Sequence, residues 1–247
     1  MRYFIRLSFD GADFHGWQIQ QNANSVQAEL NLALKTILRK KEIETIGCGR
    51  TDTGVHAKKF FVHFEIDPIE DTNELIHQLN SILPHAIAIH SIFPVQARDH
   101  ARFSALSRTY VYRIYHKKNP FLRKSSYYFP SDPDLNKMNS LSKILKEHND
   151  FSSFSKSNTQ TLTNKCVITF AEWRQEGDEI VFTITADRFL RNMVRAIAGT
   201  LLNAGINKMN ETEFINILKS GNRSEAGVSV PAHGLYLTDV VYPFPVF

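Results

Sequence analysis

The stretch GCGRTDTGVHA, Gly47 to Ala57, sets Asp52 and Arg50 among three glycines. Glycine is disfavoured inside strands and helices because it loses the most backbone freedom on folding. The three therefore predict a turn with unusual torsions, or one approached closely by another group. An aspartate there can bond its own backbone, as turn aspartates often do. It can also be presented to a ligand as a base, a nucleophile or a metal ligand. Carboxylate metal sites need several clustered oxygen donors, and no DxDxD-like spacing is present. A glycosidase pair needs a second acid in a comparable context; Asp10, in FDGADF, reads as an ordinary strand-ending Asp-Gly turn. Cys48 shares the turn, but no histidine is placed by spacing alone to activate its thiol.

The second candidate group is basic. In DRFLRNMVRAI, Arg188, Arg191 and Arg195 recur at intervals of three and four residues, so a helix would carry them on one side. Such a row is either a solvated face or a set of forks for phosphate or carboxylate, which guanidinium geometry suits. Upstream, Arg98, Arg102, Arg108 and Arg113 are interleaved with aromatic residues. That mixture fits RNA, where aromatic faces stack on unpaired bases while arginines hold phosphates. Tyr110 and Tyr112 share one face of a regular strand, and either can equally be core. Gln18, Gln20 and Gln21 beside Trp17 offer weaker groove or backbone contacts, and Trp17 alone is more often a packed aromatic. The ten histidines show no HExxH or comparable ligand spacing, and His56 and His63 read as turn and sheet residues.

The elements that must position these groups follow from pattern. RYFIRLSFDG predicts a strand closing at Asp10-Gly11. SVQAELNLALKTILRK predicts a helix capped by Ser25, with Val26, Leu30, Leu34, Ile37 and Leu38 on one face and basic residues at its end. KKFFVHFEI reads as a strand and TNELIHQLNSIL as a helix ending before Pro84. In the second half RTYVYRIYH reads as a strand and DLNKMNSLSKILKEH as a helix. CVITFAEWRQEGDEIVFTITA reads as a hairpin turning at Glu176-Gly177-Asp178. FLRNMVRAIAGTLLNAG predicts a helix aligning Leu190, Val194, Ile197 and Leu201 with Gly205 as C-terminal cap, and ETEFINILKS a shorter one. The mixture predicts an α+β fold of two related lobes, residues 1–105 and 106–247, packed tightly because no Gly/Ser linker marks the break near Ala105.

The totals agree. With 247 residues, 43% of them hydrophobic, the chain supports a packed core and excludes wholesale disorder. No apolar run is long enough to span a bilayer and no signal-peptide core follows Met1. Cys48 and Cys166 lack a CxxC partner, which fits a reducing cytoplasm and argues against a zinc site or disulfide framework. A formal charge of +4 is compatible with RNA binding without being diagnostic.

Six segments together resemble one family. FDGADFHGWQIQ, GRTDTGVHA, HARFSALSRTYVYRI, EHNDFSSF, FLRNMVRAIAGTLL and VPAHGLYL are similar to the successive motifs of the tRNA pseudouridine synthase A family, in order, from Phe9 to about Leu237. GRTDTGVHA is the most specific; the family's commoner form has alanine where this chain has Thr53. The resemblance implies two ferredoxin-like lobes with joined antiparallel sheets around a central basic cleft. It also implies a homodimer, no metal or organic cofactor, and a tRNA substrate. The target uridines would lie in the anticodon stem-loop, just 3′ of the anticodon.

By the same resemblance Asp52 is the nucleophile, Arg195 its guanidinium partner and Tyr110 the residue against the target base, with proton abstraction at C5 a further role for Tyr110. Arg50, Arg102, Arg108, Arg188 and Arg191 become RNA contacts. Two other classes compete. A non-catalytic tRNA-binding protein or chaperone explains the arginines and aromatics but leaves a carboxylate on a phosphate-binding surface unexplained. A nucleoside hydrolase would use the same carboxylate and release free base.

Overall fold

Two runs of mixed strands and helices make up the chain in a computed structural model, which describes residues 1–156 and 163–247. One compact unit is Met1–Leu106 with Leu237–Phe247; the other is Ser107–Tyr236. These units differ from the expected division at Ala105 in giving the C-terminal stretch to the first.

In the first unit, β1 (Arg2–Phe9) lies between β3 (His56–Glu65) and β4 (Ile87–Val95), antiparallel to both. The two-residue β2 (Ile46–Gly47) adds to β3. Successive side chains of a strand point to opposite faces, yet Phe4 and Ile5 are both fully buried. Both faces of β1 are therefore covered. α1 (Val26–Leu38) begins where Ser25 Oγ accepts the Ala28 amide, and it buries Val26, Leu30, Ala33 and Leu34. Ile37 and Leu38, expected on that face, are only half-buried near the fraying end. α2 (Thr72–Ile82) is capped by Asp71, whose carboxylate accepts the Asn73 and Glu74 amides, and it buries Leu75 and Leu79.

The second unit is built on β5 (Ser107–Tyr115), β8 (Glu179–Ala186) and β7 (Ile168–Glu176), all antiparallel, with the β7–β8 hairpin turning at Gly177. The short β6 (Tyr127–Tyr128) runs parallel to β5, pairing Ile114 with Tyr127. The sheet is thus mixed, not wholly antiparallel as expected, because residues 116–126 carry the chain back to the end of β5 from which it left. α3 (Leu135–Ile144) is tied to β7 by Asn139, which donates to the Trp173 carbonyl at 2.9 Å and accepts its amide at 2.7 Å. α5 (Glu211–Ser220) opens with an Asn210/Glu213 capping box.

α4 (Met193–Gly205) corrects two expectations. It starts after Asn192, which is left-handed at φ 69°, so Phe189, Leu190 and Arg191 precede the helix. Gly205 is its last residue, with Ile206 as the cap; the glycine admits Met138 and Pro133, which a Cβ would meet at 3.0 Å.

The last strand, β9 (Leu235–Val241), pairs with β3. Lys59 meets Asp239 at 2.7 Å, and the Val241 carbonyl accepts the Leu106 amide at 2.8 Å. Just beyond β9, the Tyr242 ring packs on Phe4 and Phe61 at 5.4 and 5.3 Å, and its hydroxyl donates to the Ala101 carbonyl at 2.6 Å. Among the described residues no helix is long and apolar enough to cross a membrane.

Candidate active site

Asp52 sits in the irregular connection between β2 and β3, half-buried, on a turn closed by the Val55 amide donating to the Asp52 carbonyl at 3.2 Å. The preceding aromatic loop, residues 10–17, braces this turn. Gly54 donates its amide to the Phe14 carbonyl at 3.2 Å. Gly16, at φ 87°, lies so close that a Cβ would come within 2.2 Å of the Thr51 carbonyl oxygen. His56 Nδ1 lies 3.1 Å from the Gly11 amide and 2.9 Å from Asp10 Oδ1.

The glycines of the motif divide the work. Gly47 is required by Trp17, whose indole a Cβ would meet at 2.6 Å; nothing approaches Gly49 within 4 Å. Trp17 is buried, its ring centroid 4.5 Å from that of Phe60, so it is core. Gln20 is exposed and donates to the His15 carbonyl at 2.7 Å. Cys48 is wholly buried, its amide donating to the Phe61 carbonyl at 2.7 Å, which removes it as an exposed nucleophile. Arg50, two residues before Asp52, is exposed.

In the second unit, Tyr110 and Tyr112 share one face of β5 and differ in depth. Tyr112 is fully buried and donates to the Pro231 carbonyl at 2.8 Å, and burial pushes its phenol well above the ordinary range. Tyr110 is half-buried, with the Phe189 ring perpendicular to it at 5.2 Å. Arg108, on β5, donates to the Asp187 carbonyl at 2.8 Å. Asp187 Oδ1 accepts the amides of Arg188 and Val167 at 2.7 and 2.8 Å, fixing the bend after β8.

The expected row of three arginines on one helical side is not formed. Arg188 and Arg191 lie on the irregular lead-in, and only Arg195 is on α4. The left-handed Asn192 breaks the helical phase between them. Arg195 and Val230 are joined twice: the Val230 amide donates to the Arg195 carbonyl at 3.2 Å, and Arg195 Nε donates to the Val230 carbonyl at 2.7 Å. With Nε engaged on backbone, the Nη1/Nη2 end is the guanidinium edge suited to a carboxylate.

Arg113 belongs to the fold. Its Nη2 meets Glu179 at 2.5 Å, and this bond raises the guanidinium's pKa. Arg102 is exposed and lies over the Phe103 ring, 5.5 Å from its centroid. Phe189, Val230 and the bracing glycine Gly16 escaped the sequence reading. Each lies inside a segment that carries the family resemblance, Gly16 in FDGADFHGWQIQ, Phe189 opening FLRNMVRAIAGTLL and Val230 opening VPAHGLYL, and that membership is their signal. Among the described residues no group of three or more His, Cys, Asp or Glu side chains is placed to hold a metal ion.

A sequence model of the family described as tRNA pseudouridine synthase matches residues 145–243. The chain is 48% identical over 247 residues to the tRNA pseudouridine synthase A of Parabacteroides distasonis, covering all of this chain and 98% of that protein. To the protein of the same name from Bacteroides fragilis it is 47% identical, again over all of this chain and 98% of the relative. The Bacillus subtilis protein of that name is 37% identical over 98% of this chain and 99% of its own length. Similarity of this extent places the chain in the tRNA pseudouridine synthase A family.

Proposed function

We propose that this protein isomerises uridine to pseudouridine in tRNA, with the Asp52 carboxylate as nucleophile. The observation that carries the reading is the braced turn: a carboxylate lies half-buried on backbone pinned by Phe14 and Gly16, in a chain alike end to end to proteins named for this activity. The carboxylate adds to ribose C1′ or to the base ring, splitting one difficult step into easier ones. The N1–C1′ bond breaks, the base turns, a C5–C1′ bond forms, and the C5 proton leaves while N1 gains one. Atoms balance without any cofactor.

The remaining roles follow the motif match. Arg195 is the partner that keeps Asp52 ionised, since a nearby guanidinium lowers a carboxylate's pKa. Tyr110 lies against the target base, and its role at C5 rests on resemblance alone. Arg50, Arg102, Arg108, Arg188 and Arg191 hold RNA, offsetting the cost of about a few kcal/mol of swinging a paired base out of its stack. The rest of the family reading completes the proposal: an anticodon stem-loop target just 3′ of the anticodon, two ferredoxin-like lobes about a basic cleft, a homodimer, and a cytoplasmic location.

The test is direct. A uridine-containing tRNA transcript is incubated with the protein, digested and resolved into nucleosides. Pseudouridine is the expected product. Free uracil would establish a hydrolase, and unchanged uridine a protein that only binds.

A further inference from the structure

Between α5 and Leu235 the stretch GNRSEAGVSVPAHG runs back along α4, with one short 3₁₀ turn, Ala232–Gly234, near its end. Val228 is 84% exposed, so no apolar side chain anchors the middle of the stretch. Hydrogen bonds hold it instead. The Gly227 amide donates to Thr200 Oγ1 at 2.9 Å, and Asn192 Nδ2 donates to Ser229 Oγ at 2.6 Å. The stretch lies directly on the helix: at Gly199 a Cβ would come within 2.0 Å of the Val228 carbonyl oxygen. Its far end is the Val230 carbonyl that receives Arg195 Nε.

One side chain gathers this stretch from within. Arg223 Nη1 donates to the carbonyls of Ala226 and Gly227 at 3.4 and 3.2 Å, and its Nη2 donates to Ser229 Oγ at 2.7 Å. A planar, rigid fork can serve three acceptors in a fixed relation; a lysine ammonium on a flexible stem cannot. Ser229 Oγ is thereby held from two sides, by Arg223 and by Asn192 at the start of α4. The residue after it is Val230.

We infer that Arg223 is a positioning residue for Arg195, acting through the 226–230 backbone to set the carbonyl that orients the catalytic guanidinium. The inference rests on the reading of Arg195 as partner of the nucleophile. Without Arg223 two carbonyls lose their donor and Ser229 loses one of its two partners, so the Val230 carbonyl is held less firmly, by the Val230 amide on the Arg195 carbonyl and by the burial of its side chain. Arg195 Nε follows it. A displacement of about 1 Å at a catalytic group can cost on the order of a hundredfold in rate.

The experiment compares wild type with Arg223→Ala, Arg223→Lys, Arg195→Ala and the double Arg223→Ala/Arg195→Ala variant. Single-turnover pseudouridine formation and tRNA dissociation constants are measured for each. The exchange rate of the Arg195 Nε–H is followed by NMR, its resonance assigned by its loss in Arg195→Ala. Arg223→Ala is expected to lower the single-turnover rate by about ten- to a hundredfold. Its tRNA affinity should be retained, Arg223→Lys should recover part of the rate, and the Nε–H should exchange faster. The double variant should be no slower than Arg195→Ala.

An Arg223→Ala enzyme with both an unchanged rate and an unchanged Nε–H overturns the inference. An Arg195→Ala enzyme with full rate overturns the reading beneath it, and the Nε–H exchange still decides whether Arg223 orients Arg195. If Arg223→Ala loses its amide dispersion, Arg223→Lys carries the same two measurements.

Discussion

Phe189 stands edge-on to Tyr110, their ring centroids 5.2 Å apart and their planes at 90°. A perpendicular pair of this kind matches the positive edge of one ring to the negative face of the other. It is one of the contacts that restrict the swing of the Tyr110 ring. Phe189→Ala is therefore expected to lower kcat/KM on tRNA by about two- to tenfold, in line with an aromatic pair worth about 0.5–1.5 kcal/mol. Steady-state kinetics check this, and an unchanged kcat/KM would show that Tyr110 is held by other contacts.

Asp52→Asn keeps the shape of the turn and removes the negative charge. Pseudouridine formation should fall by at least about a thousandfold, as expected when a nucleophile is removed, while tRNA affinity should hold or rise. The paired measurement is single-turnover rate and dissociation constant on one preparation. A variant with substantial turnover would exclude Asp52 as nucleophile.

Gly16→Ala tests the brace and not the carboxylate. The alanine would have to adopt φ 87° and place its methyl against the Thr51 carbonyl. The strain is of order 1–3 kcal/mol, and relief requires the Asp52 turn to move. Thermal unfolding should shift down, and turnover should fall further than the unfolded fraction accounts for. Loss of stability with full specific activity would mean that the turn does not depend on this contact.

The exposed Arg191 is expected to meet phosphate. Binding of tRNA should then weaken steeply with salt, and Arg191→Ala should reduce the log–log salt slope by about 1. Titrations at three or more salt concentrations give both slopes. Equal slopes would remove Arg191 from the RNA contacts.

His63 makes stability depend on pH. Burial, then the charges of His100 and Arg2, lower its pKa from 6.5 to about 4. The unfolded chain therefore takes up this proton at a higher pH than the folded one does. The stabilisation from keeping the ring neutral is complete above pH 6.5 and is lost as pH falls toward 4. A shift of this size corresponds to about 3 kcal/mol. His63→Gln, which can still accept the Ala101 amide, should flatten that part of the stability profile in urea unfolding at about pH 7 and about pH 4.5.

Local chemistry was legible in the sequence where it decides structure locally. Ser25 caps α1 as its position predicts, and Gly177 turns the β7–β8 hairpin. The start of α4 was not legible, because Leu190 is buried in helical phase without being helical. Apolar spacing reports burial, and here a left-handed Asn192 supplies the burial by another route. β4 and β9 went unread: IAIHSIFPV alternates poorly and carries Pro94, and both strands owe their place to distant partners. Arg113 looked like its neighbours because Glu179, which neutralises it, lies on another strand. At the site, the glycines around Asp52 announced a turn, but the Gly16 contact that braces it joins separate loops.

Tyr242 seals one face of a sheet whose first strand begins at Arg2, and that has a consequence for synthesis. Tyr242 follows Phe4 and Phe61 with the whole second unit between them in the chain, so the face it seals stays open until that unit has been made, although Phe93 packs on Phe4 sooner. The intervening unit, contiguous in sequence, can finish ahead of them, so the usual N-to-C order of domain completion is reversed. Aromatic surface left open in this way favours aggregation of a nascent chain.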